Sequence, residues 1–222
     1  MKIIGLAKKL WGKYNLFAYA RRYGMRKKLH NQDATFLCPN CIGGILYHDL
    51  GLKFMSPTVN LMMTQPDFVK FVLNIDYYLR QEFEFFDHPE YECPCAYLGD
   101  IIIHFTHYHS KQEPVTKWRE RSKRIQKDNI FVFLEERDGL TPDEILKLRL
   151  LDVKGLVVFT ANEYADIPYT VQIEKYKNEG EVGNILTRSF WNDSREYERY
   201  FNFVKWFNEA DGGNYDVSPY VR

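Results

Sequence analysis

The sequence predicts an α/β fold: a three-layer α/β/α arrangement around a mixed, partly parallel sheet. Three observations carry that expectation. Short apolar, β-branched runs alternate with helical stripes along most of the chain. A strand–helix–strand unit over 130–160 has the spacing of a parallel pair. Of the 222 residues, 45% are apolar and 16% aromatic, enough for a large core and too many for a disordered chain. The length fits one domain with an appendage, read as a basic amphipathic helical segment over 1–33 and a single α/β domain over 34–222.

The first helix is drawn by Ile3, Leu6, Ala7, Leu10, Tyr14 and Phe17, which recur at three- and four-residue steps with Lys8, Lys9 and Lys13 largely opposite. Ala34–Cys38 reads as a short buried strand running through a tight Pro39–Gly44 turn into a helix over 45–50, closed by Gly51. Thr64 caps a helix from Gln65 to Arg80, with Pro66 and Asp67 in its first turn. Phe83–Phe86 is a strand, and the apolar stretch Tyr97–Phe105 reads as a central one. Ser110 and Glu113 form a capping box for a helix reaching about Lys127, and Thr141 and Glu144 form a second for a helix ending near Asp152. Strands at Ile130–Leu134 and Leu156–Thr160 flank that second helix, and Tyr169–Glu174 alternates like an edge strand. A final helix runs from Asp193 or Ser194 to about Asn208 with Tyr197, Tyr200, Phe201, Val204 and Phe207 inward.

The formal net charge is zero, but its placement is uneven. Residues 1–33 carry Lys2, Lys8, Lys9, Lys13, Arg21, Arg22, Arg26, Lys27 and Lys28 against the single acid Asp33. Such a head either meets an anionic membrane peripherally or packs as an ordinary helix on protein. Lys8, Lys9 and Lys13 break the apolar region that a signal peptide needs, and no uncharged apolar run reaches the roughly 18 residues of a membrane span. A cytoplasmic protein is expected, at most peripheral at the inner face of the membrane. Cys38/Cys41 and Cys93/Cys95 are then thiols or ligands rather than disulfides.

In parallel sheets ligands sit beyond the carboxyl ends of strands, which directs attention to Cys38–Gly44, Phe105–His109 and Thr160–Asn162. Glycines at a helix start let backbone N–H groups approach an anion, and the helix dipole there favours a Cys41 thiolate; a tight turn around a small buried thiol is the plainer alternative. Asp100, His104, His107 and His109 lie within ten residues, and on one strand Asp100 and His104 share a face. They read as a general base with an orienting acid, as a divalent-metal set, or as a satisfied strand end. After Ser110, Arg121 and Arg124 stand one turn apart and can converge on one phosphate, with Trp118 on the same side; a solvated basic face is the alternative. A basic patch on a neutral chain is a weak case for nucleic acid, which is not expected as a partner. No metal site is assigned, no cofactor is indicated, and the oligomeric state is left open.

Taken in order, Pro39-Asn40-Cys41-Ile42-Gly43-Gly44, Ser56-Pro57-Thr58, Leu98–Tyr108 and Trp118–Ile125 with Asp128-Asn129 resemble a bacterial family. It is domain of unknown function nineteen-nineteen, many of whose members are labelled exopolysaccharide biosynthesis proteins. The resemblance covers roughly residues 1–165, and Ile42 departs from it where the family carries an aromatic. Asn40, Cys41, Gly43, Gly44, Asp100, His104, His107, Tyr108, Trp118, Arg121 and Arg124 match its motifs, whereas Cys38, Cys93, Cys95 and His109 do not.

Two functions follow. One is a transferase in surface polysaccharide biosynthesis using an activated sugar or other phosphate-containing donor. The glycine turn, Arg121 and Arg124 would hold the phosphate, His104 or His107 aligned by Asp100 would act as base, and Ser56 and Thr58 would position the sugar. The other is a non-catalytic partner or regulator binding an anionic ligand, a lipid surface or a protein in a polysaccharide assembly complex.

Overall fold

The computed structural model describes residues 16–222. Four strands, β1 (Thr35–Leu37), β5 (Ile130–Glu135), β6 (Gly155–Thr160) and β7 (Thr170–Gln172), form a wholly parallel sheet in the order β1-β5-β6-β7. Thr35 pairs with Ile130, Phe131 with Gly155 and Val158 with Thr170. Every residue of β5 and β6 is buried, the reason both read as unbroken apolar runs: a parallel sheet is covered on both faces. Between β1 and β5 the chain builds a second, antiparallel sheet from β2 (Phe83–Phe86), β3 (Cys95–Leu98) and β4 (Ile101–His104). The protein is therefore α/β as expected, with its parallel and antiparallel strands divided between two sheets.

The helices are α1 (Leu16–Lys28), α2 (Ile42–Leu50), α3 (Gln65–Leu73), α4 (Ile75–Tyr78), α5 (Gln112–Ser122), α6 (Pro142–Lys147) and α7 (Phe203–Glu209). Thr64 caps α3 and the Thr141–Glu144 capping box starts α6, as their sequences specify. Aromatic rings make the core beneath α7: Phe36 lies 5.4 Å from Phe207, and Phe131 4.9 Å from Trp206. Tyr47 of α2 ties the sheet by accepting from the Phe36 N–H and donating to the Ala34 carbonyl.

Four expectations change. Tyr97–Phe105 is not one central strand but a hairpin: Gly99 turns at φ +62° with Asp100 beside it, so Asp100 and His104 do not share a strand face. The 65–80 helix breaks at Asn74, whose φ of −134° and ψ of 40° leave the helical region. Helix α5 stops at Ser122, whose hydroxyl bonds back to the Trp118 carbonyl. The last helix starts late, because Asn202 accepts the Lys205 N–H and begins it afresh after a short 3-10 turn at Glu196–Arg199.

The stripe formed by Ile3 to Tyr14, with Lys8, Lys9 and Lys13, lies outside the described residues. In α1 the arginines face protein: Arg21 pairs with Glu198 at 2.8 Å, Arg22 with Asp49 at 3.0 Å, and Arg26 donates to the carbonyls of His48 and Asp49. Leu16, Tyr19 and Tyr23 are exposed. Among the described residues no helix is long and apolar enough to cross a membrane.

Candidate functional site

The turn after β1 is closed on itself. Asn40 Oδ1 accepts the Ile42 N–H at 3.0 Å and Cys38 Sγ accepts the Gly43 N–H at 3.0 Å, so the leading amides of α2 are already bonded. A Cβ on Gly43 would come within 2.8 Å of Cys38 Sγ, and one on Gly44 within 3.0 Å of Asn60 Oδ1. These glycines let the helix approach the strand end and its neighbouring loop. The Gly43 amide is thereby spent on Cys38 Sγ and is not free for a phosphate.

Glu135 ends β5 beside this turn. Its carboxylate accepts from the Asn40 side-chain amide, and its backbone N–H donates to Gln65 Oε1 at 3.0 Å. Burial pushes the carboxyl up to about 7, against the opposing influences of Arg137 and the Asn40 hydrogen bond. A group half-ionised near neutrality can both give and take a proton. Next to it, Cys41 Sγ lies 3.2 Å from His107 Nε2. Burial raises the Cys41 thiol, which opposes the thiolate expected from the helix dipole. His104 is buried, held below its ordinary value by burial and the His88 charge, with Nδ1 3.3 Å from Cys95 Sγ.

These groups surround a cavity of about 580 Å³ at the carboxyl edge of β1 and β5, lined among others by Asn40, Cys41, Gln65, His104, His107, Glu135 and Arg137. Tyr91, Met62 and Ile185 add apolar wall. A site beyond the carboxyl ends of parallel strands is where an α/β sheet places its ligands.

Other candidates lie elsewhere. Asp100 accepts from the Tyr78 hydroxyl at 2.7 Å and pairs with Lys70 at 3.1 Å, so it orients neither histidine. Ser56 and Thr58 are fully buried, bonded to each other at 2.9 Å, and Thr58 Oγ1 accepts the Cys38 N–H. Arg121 is buried over the Phe54 ring and donates to the Val59 carbonyl and the Tyr108 hydroxyl. Arg124 donates to the Phe54 carbonyl, and Trp118 packs in the core against Phe71 and Phe83. The pattern that read as a phosphate clamp is a buried brace between α5 and the 54–59 loop.

The sequence of residues 13–208 matches the model of a family described as Domain of unknown function (DUF1919). The chain belongs to the DUF1919 family. An uncharacterized protein of Haemophilus influenzae is 39% identical over 186 residues, covering 84% of this chain and 89% of that protein. Within this DUF1919 chain, motif residues thus divide into a site group (Asn40, Cys41, His104, His107) and a bracing group (Ser56, Thr58, Tyr108, Trp118, Arg121, Arg124). Sequence reasoning missed Glu135, Gln65 and Arg137. The available sign was an acid closing the otherwise apolar run Ile130–Leu134, at a carboxyl strand end.

The bracing role makes a prediction. Arg121→Ala leaves the buried Val59 carbonyl without this donor, and should lower unfolding stability in urea by about 1–3 kcal/mol. Ligand affinity of the folded variant should not change. A variant of wild-type stability with abolished ligand binding would return Arg121 to the site.

Proposed function

We propose that this protein is a group-transfer enzyme of surface polysaccharide biosynthesis, moving a group from a phosphate-containing activated donor to an acceptor hydroxyl, with Glu135 as the general base. The observation that carries this reading is a buried carboxyl with a pKa raised to about 7, opening on a cavity beyond the parallel strands. The acceptor oxygen attacks as its proton passes to Glu135. The bond to the donor's phosphate oxygen breaks, and the leaving phosphate keeps the electron pair. Asn40 holds the Glu135 carboxylate in place, and the positive charge of Arg137 favours its ionised form. The polysaccharide context rests on the label implied by the family resemblance. A wall mixing Met62 and Ile185 with Gln65 and Asn184 suits a sugar, which has an apolar ring face and a hydroxyl rim.

The experiment is a thermal-shift and turnover screen against nucleotide-sugars, acyl-coenzyme A and simple phosphates. A donor present at a hundred times its Kd stabilises the fold by about 2.7 kcal/mol. The expected result is a donor that stabilises wild type and Glu135→Gln alike but is turned over by wild type alone. A blank across every donor class would favour a non-catalytic partner in a polysaccharide assembly.

The Cys41–His107 contact at 3.2 Å favours a second reading, acyl transfer through a Cys41 thioester with His107 taking the thiol proton. Cys41→Ser separates the two, because only the second predicts an adduct by mass spectrometry that is lost with the thiol. Peripheral attachment through residues 1–33 is part of the proposal, supported by Lys27 and Lys28 beside exposed Leu16, Tyr19 and Tyr23. Cosedimentation with phosphatidylserine vesicles, weakened by salt, is expected; equal recovery with neutral vesicles would count against it.

A further inference from the structure

We propose that a second cleft, sharing Cys41 and His107 with the Glu135 cavity, is an anion subsite in which Arg188 and Arg195 hold a phosphoryl group. The cleft encloses about 370 Å³ and is also lined by Arg22 and His48 and by the carboxylates of Asp49 and Asp193. Arg188 and Arg195 face each other as an antiparallel bridge pair, closed by the Ser189 N–H donating to the Ser194 carbonyl at 2.8 Å. Like charges directly across a bridge repel, and an anion between them reverses the sign of that interaction.

Arg195 is the surplus cation. It is 8% exposed, and its guanidinium donates to the Leu186 carbonyl at 3.2 Å, while its Nε is buried without a hydrogen-bond partner. Among the described residues no carboxylate lies within ion-pair distance of it. The neighbouring acids are engaged elsewhere: Asp193 with Arg22 and Arg188, Asp49 with Arg21 and Arg22, and Glu198 with Arg21. Four guanidiniums thus share three carboxylates. Burial and the Arg188 charge both disfavour the charged form of Arg195. A buried cation without a counter-charge is costly, and the paired guanidinium forks match the oxygens of a phosphoryl dianion.

The inference rests on the proposed transfer reaction for its meaning: the donor's phosphate would sit here and the acceptor beside Glu135, with Cys41 and His107 between them. Its test is independent. Inorganic phosphate and pyrophosphate are titrated calorimetrically into the full chain at constant ionic strength, with chloride and acetate as controls. Saturable binding of the phosphates is expected, weakened about tenfold or more by Arg188→Ser or Arg195→Gln, since each removes a charge-assisted donor. Arg188 is largely exposed, so its variant keeps the fold and decides the matter if Arg195→Gln does not fold. Chloride or acetate competing equally, or phosphate binding unchanged in Arg188→Ser, would overturn the subsite. Glu135→Gln should bind phosphate as wild type does. Phosphate binding without any transfer activity would leave the subsite standing and remove the transferase reading; transfer without phosphate binding would do the reverse.

Discussion

Glu135→Gln is expected to abolish turnover and, at the same time, to stabilise the fold above neutral pH. Removing a general base typically costs roughly 10²–10⁴-fold in rate. The stability arm follows from burial. The Glu135 carboxyl is raised from 4.5 to about 7 in the folded chain, so between those values the native state keeps a proton that the unfolded state has lost. That contribution is fully present below about 4.5 and is lost as pH rises through about 7. At about 1.4 kcal/mol per pH unit the separation corresponds to a contribution on the order of 3 kcal/mol. Glutamine keeps an oxygen for the Asn40 amide and carries no charge, so the variant escapes the loss. The measurement is the urea midpoint of both proteins at pH 5 and pH 8. The variant should gain on wild type between the two pH values and exceed it at pH 8, while its kcat collapses. A variant less stable at pH 8, or one retaining turnover, would give Glu135 an ordinary structural role. Stability gained and activity lost in one substitution is the signature of a strained functional group.

The parts of this fold that were legible are those encoded locally. Thr64 and the Thr141–Glu144 box announce their helices within four residues, and β5 and β6 announce themselves as continuous apolar runs of a doubly covered sheet. The hairpin was missed because Gly99 and Asp100 interrupt an apolar stretch without ending it, and one residue at positive φ reverses the chain there. In the last helix, buried Tyr197, Phe201, Phe203, Trp206 and Phe207 are too dense to show a single helical period.

The site divides along similar lines. Asn40, Cys41, His104 and His107, expected from their strand ends, all line the Glu135 cavity. Arg121, Trp118, Ser56 and Thr58 were misread because composition does not say which way a side chain turns: Arg121 turns inward onto the 54–59 loop, Ser56 and Thr58 onto each other, and Trp118 onto Phe71 and Phe83. Glu135 was invisible for the opposite reason. An acid after five apolar residues, followed at once by a second, gains its meaning only from Asn40, 95 positions earlier, which the parallel pairing of β1 and β5 brings beside it. Arg195 likewise matters only once the bridge sets it against Arg188.

The other large effect is expected at the junction of α1 and α2. Asp49→Ala should cost about 3–5 kcal/mol, because removing one partner of a buried charge cluster strands the others. Asp49 is 3% exposed and accepts from Arg21 and Arg22. Burial acts to raise its carboxyl, but the hydrogen bond and charge of Arg21 and the charge of Arg22 outweigh that and hold it below its ordinary value. A depressed carboxyl contributes stability that is present above its unfolded pKa of about 3.8 and is lost as pH falls below that through the folded value. The variant's deficit should therefore be constant at neutral pH and shrink in acid. Loosened α1 amides between 16 and 28 should exchange hydrogen faster, while those of β5 stay protected. The same substitution leaves Arg22 to draw harder on Asp193, which already pairs with Arg188 in the wild type. Less carboxylate then remains for the Arg188–Arg195 cleft, so inorganic phosphate should stabilise Asp49→Ala more than it stabilises wild type. A deficit below about 1 kcal/mol, the range of an exposed ion pair, would mean that α1 is only loosely attached and that the cluster does not order the cleft.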